Sequence, residues 1–376
     1  MKILIIGEYS GFSKNLCRGF NKIGHEACAF NWGDTFKNIS TEKGSVKINI
    51  DNYRLFGYVI RGSHYIRRFF SYFKLKQIIQ NKKNKYDCAL IINPVFIKDR
   101  SSWFVPFPTI EEVKSMLINK DMIFLSACGN DFIFNSYLPF REKTSDYHRK
   151  RFQNNINIDK KLFLRVIDSV KGVIPVMVDY ADAYRKFQSA YHYKIFNTIP
   201  LPYDCSSYTT TYKKDDRISI FHGVTRNKEK GSDIIMEALS KIYEYFPEKV
   251  SVNIASNIPL NEYLLQLNKA DIVIDQCYAY SYGMNAIEAL SMGKVVLSGN
   301  EPNNVKEFGI DYCPIINIQP SVDNIVEELK KLINEPTRIK EIANQSKHYV
   351  SLLHNCDNIA YKYVELFESQ LIENIN

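Results

Sequence analysis

What this sequence lacks narrows it first. No two of its eight cysteines form a Cys-x-x-Cys pair, which argues against a thiolate zinc site or a redox dithiol. Several sit in apolar company (Cys88-Ala89-Leu90, Ala127-Cys128) and fit small buried hydrophobes of a reducing cytosol. There is no Asp-x-Asp and no His, Asp or Glu cluster at ligand spacing, so neither a metal nor a cofactor is expected. The Gly-x-x-x-x-Gly-Lys-Ser/Thr phosphate loop is absent, and the loop from Gly7 to Gly11 is not Gly-x-Gly-x-x-Gly. A P-loop is therefore excluded and a nicotinamide enzyme has little support. No apolar run approaches the ~20 residues of a membrane span. The apolar stretch after Lys2 is too short for a signal peptide. A cytoplasmic location is expected, with room for peripheral contact with a membrane.

What is present is an ordinary globular mix. Of 376 residues, 45% are hydrophobic and 24% charged, enough for a sizeable core without disulfides. At ~100–200 residues per domain the length reads as two domains, with three as the alternative. Lys and Arg number 49 against 41 Asp and Glu, for a net charge of +8. So modest a surplus suits acidic small molecules or an anionic surface as readily as nucleic acid.

Short apolar, β-branched runs at 2–6, 27–30, 87–92, 122–127 and 172–178 are separated by stretches at helical spacing. Such continuous runs predict a parallel sheet covered on both faces. Segment 199–207, Ile-Pro-Leu-Pro-Tyr-Asp-Cys-Ser-Ser, has no period and reads as a linker. The rhythm then restarts with strands at 218–221, 250–255, 271–275 and 294–298, helices at 233–246 and 283–292, and two closing helices at 321–334 and 356–374. The expected fold is α/β: two Rossmann-like domains, 1–203 and 204–376, facing a cleft. The last helix, about 357–376, is free to cross back. Ligands of open α/β sheets bind at the carboxyl ends of the strands, and pockets favour domain interfaces.

Two segments could carry chemistry in the second half. Arg226, Lys230 and Gly231 follow the strand at 218–221. A guanidinium and an ammonium there suit a diphosphate, although a solvated basic loop is the blander reading. Further on, Tyr280-Ser281-Tyr282-Gly283 leads into a helix, with Ser281 a candidate N-cap. Gly283 leaves room for a ligand at the free amides, where helix termini bind phosphate. Glu288 lies in the second turn among apolar residues and needs a partner, either a lysine or a ribose diol.

Together these segments resemble the nucleotide-sugar half of retaining GT-B glycosyltransferases of the Glu-x7-Glu superfamily. The resemblance rests on Arg226, Lys230-Gly231, Tyr282-Gly283, Glu288-Ala289 and Gly293-Lys294-Val295-Val296, in that order. It implies a metal-independent hexosyltransferase that binds a nucleotide-sugar donor through Arg226, Lys230, Gly231, Tyr280, Ser281, Tyr282, Gly283 and Glu288. One departure is clear. Eight residues before Glu288 stands Tyr280, where the superfamily has the first Glu, which contacts the transferred sugar.

In the first half, Cys128-Gly129-Asn130-Asp131 follows the strand at 122–127. It is similar to the loop that approaches acceptor and sugar in such transferases, so Asn130 and Asp131 are candidate catalytic residues. An Asx turn with Asp131 as a helix cap is the alternative. Gly11 is the candidate on the other acceptor-side loop. Residues 52–86 contain no Asp or Glu but nine Arg and Lys, and Tyr65, Ile66, Phe69, Phe70 and Phe73 share one helical face. This tract could meet an anionic membrane or turn its stripe to the core. The expected function is transfer of a sugar, with retention, to a polysaccharide or lipid-linked acceptor in lipopolysaccharide or capsule assembly. No nucleic acid is expected as a partner. A nucleotide-sugar epimerase, a glycerol-phosphate polymerase or a non-catalytic basic subunit stays open.

Overall fold

The computed structural model describes the chain apart from residues 32–44, 49–51, 53, 56–57, 81–84, 103, 207–216, 225–226, 257 and 374–376, and the side chains of 54–55, 148 and 151–159. Arg226 thus lies outside the described residues.

The first half is a parallel sheet of β1 (Lys2–Ile6), β2 (Glu26–Asn31), β3 (Val46–Lys47), β6 (Cys88–Ile91), β7 (Ile123–Ala127) and β8 (Gly172–Pro175), in the order β3-β2-β1-β6-β7-β8. A small antiparallel pair, β4 (Arg54–Leu55) and β5 (Tyr58–Val59), stands apart. Ile3, Leu4, Ile5, Ile6 and all of β7 are buried, as a sheet covered on both faces requires. The second half is also all parallel: β9 (Ile218–Val224), β10 (Val250–Ser256), β11 (Ile272–Ile274), β12 (Val295–Ser298) and β13 (Ile316–Asn317), ordered β10-β9-β11-β12-β13. Each order reverses at one point, between β1 and β6 and between β9 and β11. Ligands of doubly wound sheets bind outside such points.

The chain crosses between the halves twice. Residues 199–203 make the first crossing, and Tyr203 pairs with the chain at the start of the last helix, its N–H donating to His354 O at 2.6 Å while its carbonyl accepts from Cys356 N at 2.9 Å. That helix, Cys356–Ile372, returns to the first domain. Phe367 lies 4.8 Å from the ring of Phe124 on β7, and Lys171 donates to Gln370 O at 2.8 Å. A Cβ on Gly19 would fall 2.2 Å from Cys356 O, so a residue without a side chain lets the two helices touch.

Two helices depart from the sequence expectation. Pro336–Leu353 forms a helix of 18 residues between the two expected at the end. Its proline sits in the first turn, where the missing N–H costs nothing. The helix Ser63–Gln80 does carry the aromatic tract, but it meets the core through Ser63, Ser71 and Leu75. Tyr65, Ile66, Phe69, Phe70 and Phe73 are all exposed, which corrects the core-facing alternative.

Candidate active site

Loops from the carboxyl ends of both sheets enclose a cavity of about 610 Å³. The first domain contributes Ser10, Asn130, Arg141, Thr144 and Asp179, the second Lys230, Asp275, Ser281, Gly283 and Asn285.

On the second domain's wall, Lys230 leaves the turn after β9 and Asp275 ends β11. Their side chains are 3% and 5% exposed, and Lys230 Nζ donates to Asp275 Oδ1 at 2.6 Å. Gly231 follows at φ +77°, where a Cβ would strike Cys277 Sγ at 2.3 Å. Glycine is thus required for the turn that aims Lys230 at Asp275. Beneath them His222 is buried on β9. It hydrogen-bonds Ile274 O at 2.8 Å and Ser232 Oγ at 2.9 Å. Burial pushes its imidazole down to about 4, with Lys230 adding to the effect.

The second element is the helix Met284–Ser291. Gly283 is its N-cap and supplies no side-chain hydrogen bond, so the first-turn amides have no side-chain cap. Ser281 is not that cap. Its N–H and hydroxyl both donate to Asp179 Oδ2, at 3.0 and 2.5 Å, across the interface. Tyr282 is buried, with its hydroxyl 2.5 Å from that of Tyr349 and 3.0 Å from His354 Nε2. It braces the linker, because His354 Nδ1 contacts Leu201 O at 2.8 Å. Glu288 is half-buried one turn beyond the cavity wall. Burial chiefly, then Asp275 and Glu288, pushes the Tyr263 phenol well above its ordinary value, so both carboxylates lie around that one side chain. Tyr280 turns from the cavity. Its hydroxyl accepts from Glu142 N at 2.9 Å, and its ring lies 4.5 Å from the Arg141 guanidinium.

The first domain's candidates are largely committed to their own backbone. Asp131 caps the helix Phe132–Tyr137, accepting from Phe134 N at 2.8 Å, and its other oxygen accepts from Tyr184 Oη at 2.6 Å. This is the Asx alternative, and it leaves Asp131 off the cavity wall. Asn130 remains exposed on that wall. Gly11 is the N-cap of the helix Phe12–Lys22. Its N–H and those of Ser13 and Lys14 donate to the buried carboxylate of Glu8, at 2.9, 3.4 and 3.0 Å.

The sequence did not single out Arg141, Lys143 or Asp179. They belong to a strap, 138–145, and to the first turn of the helix Val178–Tyr191. Arg141 Nη2 sits 2.9 Å from Asp179 Oδ1, with both side chains buried. Lys143 reaches across the cleft to Glu301, to Asn317 Oδ1 at 3.2 Å and to Ile318 O at 2.9 Å. The sequence shows only an arginine and a lysine two residues apart, and contact with the other domain shows their use.

By sequence, no known family matches the chain and no curated protein does. Solved structures match it along nearly its whole length. A sucrose-phosphate synthase from Thermosynechococcus elongatus superposes at TM-score 0.62 with 10% identity, over 99% of this chain and 100% of the other. The chain has the GT-B fold. HepE of Anabaena, solved with UDP and glucose, gives TM-score 0.58 at 12% identity over 98% and 100% of the two chains. A UDP-GlcNAc 2-epimerase from Neisseria meningitidis, bound to UDP-GlcNAc, gives 0.52 at 12% over 98% and 100%. In this GT-B chain the cavity lies between the two sheets, at the strand ends where the second sheet reverses its order.

Proposed function

We propose that this GT-B chain transfers a sugar from a nucleotide-sugar donor to an acceptor hydroxyl. The observation that carries the proposal is the second domain's wall. Lys230, held by Asp275, and a helix N-terminus with no side-chain cap both border one inter-domain cavity. A fixed cation and aligned amides stabilise charge that grows on a departing diphosphate, and no metal is invoked for that step. Glu288, one turn along, is assigned to the donor's ribose. HepE and the epimerase, solved with UDP or a UDP-sugar, support a nucleotide-sugar as the ligand class.

Retention is the stereochemistry that fits. Inversion needs a carboxylate or imidazole free to take the acceptor's proton. Of the carboxylates on the cavity wall, Asp179 faces Arg141 and Ser281, and Asp275 faces Lys230. The third, Glu229, is on the donor side. With Asp131 committed to a helix cap, the departing phosphate itself is the base left for the acceptor, and Asn130 positions the hydroxyl.

The acceptor is assigned to an anionic membrane surface as a lipid-linked or polysaccharide chain. No helix among the described residues is long and apolar enough to cross a bilayer. The Ser63–Gln80 helix instead presents Tyr65, Ile66, Phe69, Phe70 and Phe73 to solvent beside the exposed residues Tyr58, Val59 and Ile60. Arg61 and Lys74 are exposed on the same tract, and aromatic rings with basic flanks suit the headgroup region.

Thermal-shift screening with UDP-, GDP- and CMP-sugars tests the donor assignment, because a ligand of the folded state raises Tm. Stabilisation by one nucleotide series is expected, and none by any would overturn it. NMR of the product's anomeric centre tests retention. Turnover of the donor to an epimer without acceptor would favour the epimerase reading that the Neisseria structure keeps open. Flotation with phosphatidylglycerol vesicles tests the surface: Arg61→Glu with Lys74→Glu should cost about 1 kcal/mol per residue. Absence of binding by the parent chain would end the membrane assignment.

A further inference from the structure

The strap and Asp179 use unlike chemistry at the place where a diphosphate is assigned. Asp179 is in the first turn of its own helix, yet that helix receives no side-chain cap. Its carboxylate turns instead to the other domain and takes the N–H and hydroxyl of Ser281, two residues before the N-cap Gly283. It arrives with Arg141, 3% exposed and 4.5 Å from the ring of Tyr280. The Arg141–Asp179 contact is close but poorly aimed. Arg141 Nε and Nη2 are buried without a hydrogen-bond acceptor, and so is Asp179 Oδ1 without a donor. Thr144 Oγ1, also on the cavity wall, is buried without a partner. Buried donors left unmade are costly, and a guanidinium fork beside a hydroxyl matches a phosphate better than it matches this one carboxylate.

We propose that Asp179 is an internal stand-in for a phosphate. A nucleoside diphosphate competes with its carboxylate for Ser281 and Arg141, and Arg141 and Thr144, from the first domain, become ligands of that diphosphate. The inference rests on the donor assignment above and adds two ligands and a competitor to it. The exchange need not open the cleft, because Lys143 with Glu301 and Arg185 with Glu307, the latter at 2.7 and 2.8 Å, tie the domains independently.

The test is calorimetric titration of the intact chain with UDP, GDP and CDP. Asp179→Asn keeps an acceptor toward Ser281 and removes the competing charge. It should bind whichever diphosphate the parent binds more tightly, by about tenfold if the stand-in holds roughly nine molecules in ten. Arg141→Gln should weaken binding by at least about tenfold. Asp179→Asn should also melt lower without ligand but gain a larger Tm shift from the diphosphate. A purely structural tie would lower the melting point and give no tighter binding, and that result overturns the proposal. Thr144→Val, near-isosteric and removing an unpartnered hydroxyl, guards against failure to fold. It should weaken diphosphate binding severalfold at unchanged Tm, and unchanged affinity would remove Thr144 from the site. If the parent binds no diphosphate and no nucleotide-sugar, the donor assignment itself fails. If it binds them and Asp179→Asn is not tighter, only the stand-in fails.

Discussion

The two sheets end in comparable loops, and the helices Phe12–Lys22 and Met284–Ser291 each start after a glycine, but only the first has a carboxylate under its amides. In the first domain Glu8 folds its carboxylate under the amides of Gly11, Ser13 and Lys14. Asp131 does the same for its own helix. In the second domain the helix Met284–Ser291 begins at Gly283, which has no side chain to offer. A helix terminus carries a fraction of a positive charge and attracts an anion. Where the chain brings its own carboxylate the site is filled, and where it brings glycine an outside anion can enter. That difference, more than net charge, is the reason for proposing the anionic donor on the second domain.

The strongest break in this picture is Lys230→Ala. In the sequence Lys230 reads as a candidate diphosphate ligand or as part of a solvated basic loop. In the structure it is also half of a buried ion pair, and its removal leaves Asp275 buried beside an empty space. Breaking a buried pair in this way costs about 3–5 kcal/mol, and urea unfolding of the apo chain should show it together with lost donor binding. Full stability in Lys230→Ala would mean that Asp275 has another partner of equal strength.

Next in size is Glu8→Ala, which uncaps the first domain's terminus. Losing its charge-assisted bonds should cost about 1.5–3 kcal/mol, and inorganic phosphate should recover part of the lost Tm. Recovery in the variant and none in the parent would sharpen the comparison, and equal phosphate effects in both would undo it.

A third difference between the halves titrates. His222, under Lys230, is held neutral down to about 4 in the folded chain, against an ordinary value near 6.5. Between these values the unfolded chain binds the extra proton. Its stabilising contribution is therefore complete above about pH 6.5 and is lost as pH falls toward 4, at about 1.4 kcal/mol per pH unit. Buried His354, also near 4, adds a like slope. Unfolding free energies at pH 7, 5.5 and 4.5 should show this, and His222→Gln should remove one histidine's share.

The smallest effect expected is that of Gly283→Asp. A Cβ there meets nothing within 4 Å, and the backbone is extended at φ −123°, so the new carboxylate can cap the helix. Stability should rise by about 0.5 kcal/mol while diphosphate affinity falls. A rise in both would show that the terminus does not meet the ligand.

Much of this was legible in the residues. Apolar runs bounded by loops marked the strands of both sheets except the two-residue edge strands β3 and β13, since a doubly covered parallel strand must be apolar throughout. Lys230 and Gly283 stood out because a loop after such a strand opens at the sheet's carboxyl edge, where open α/β sheets bind ligands. The helix Pro336–Leu353 was not read from the sequence. Asp131 was readable both as a cap and as a cleft residue, and only Tyr184 and Phe134 decide its role.

The sequence by itself determined the alternation of strands and helices and the basic aromatic tract, because each depends on neighbours within a few residues. The tertiary structure decided which charges meet. Lys230 meets Asp275 across 45 residues, and Asp179 meets Ser281 across 102. Those pairings depend on strand order and on how one domain faces the other. It likewise decided that the aromatic stripe of residues 65–73 faces water, because Ser63, Ser71 and Leu75 took the packed face, and small residues allow closer approach to a core than rings do.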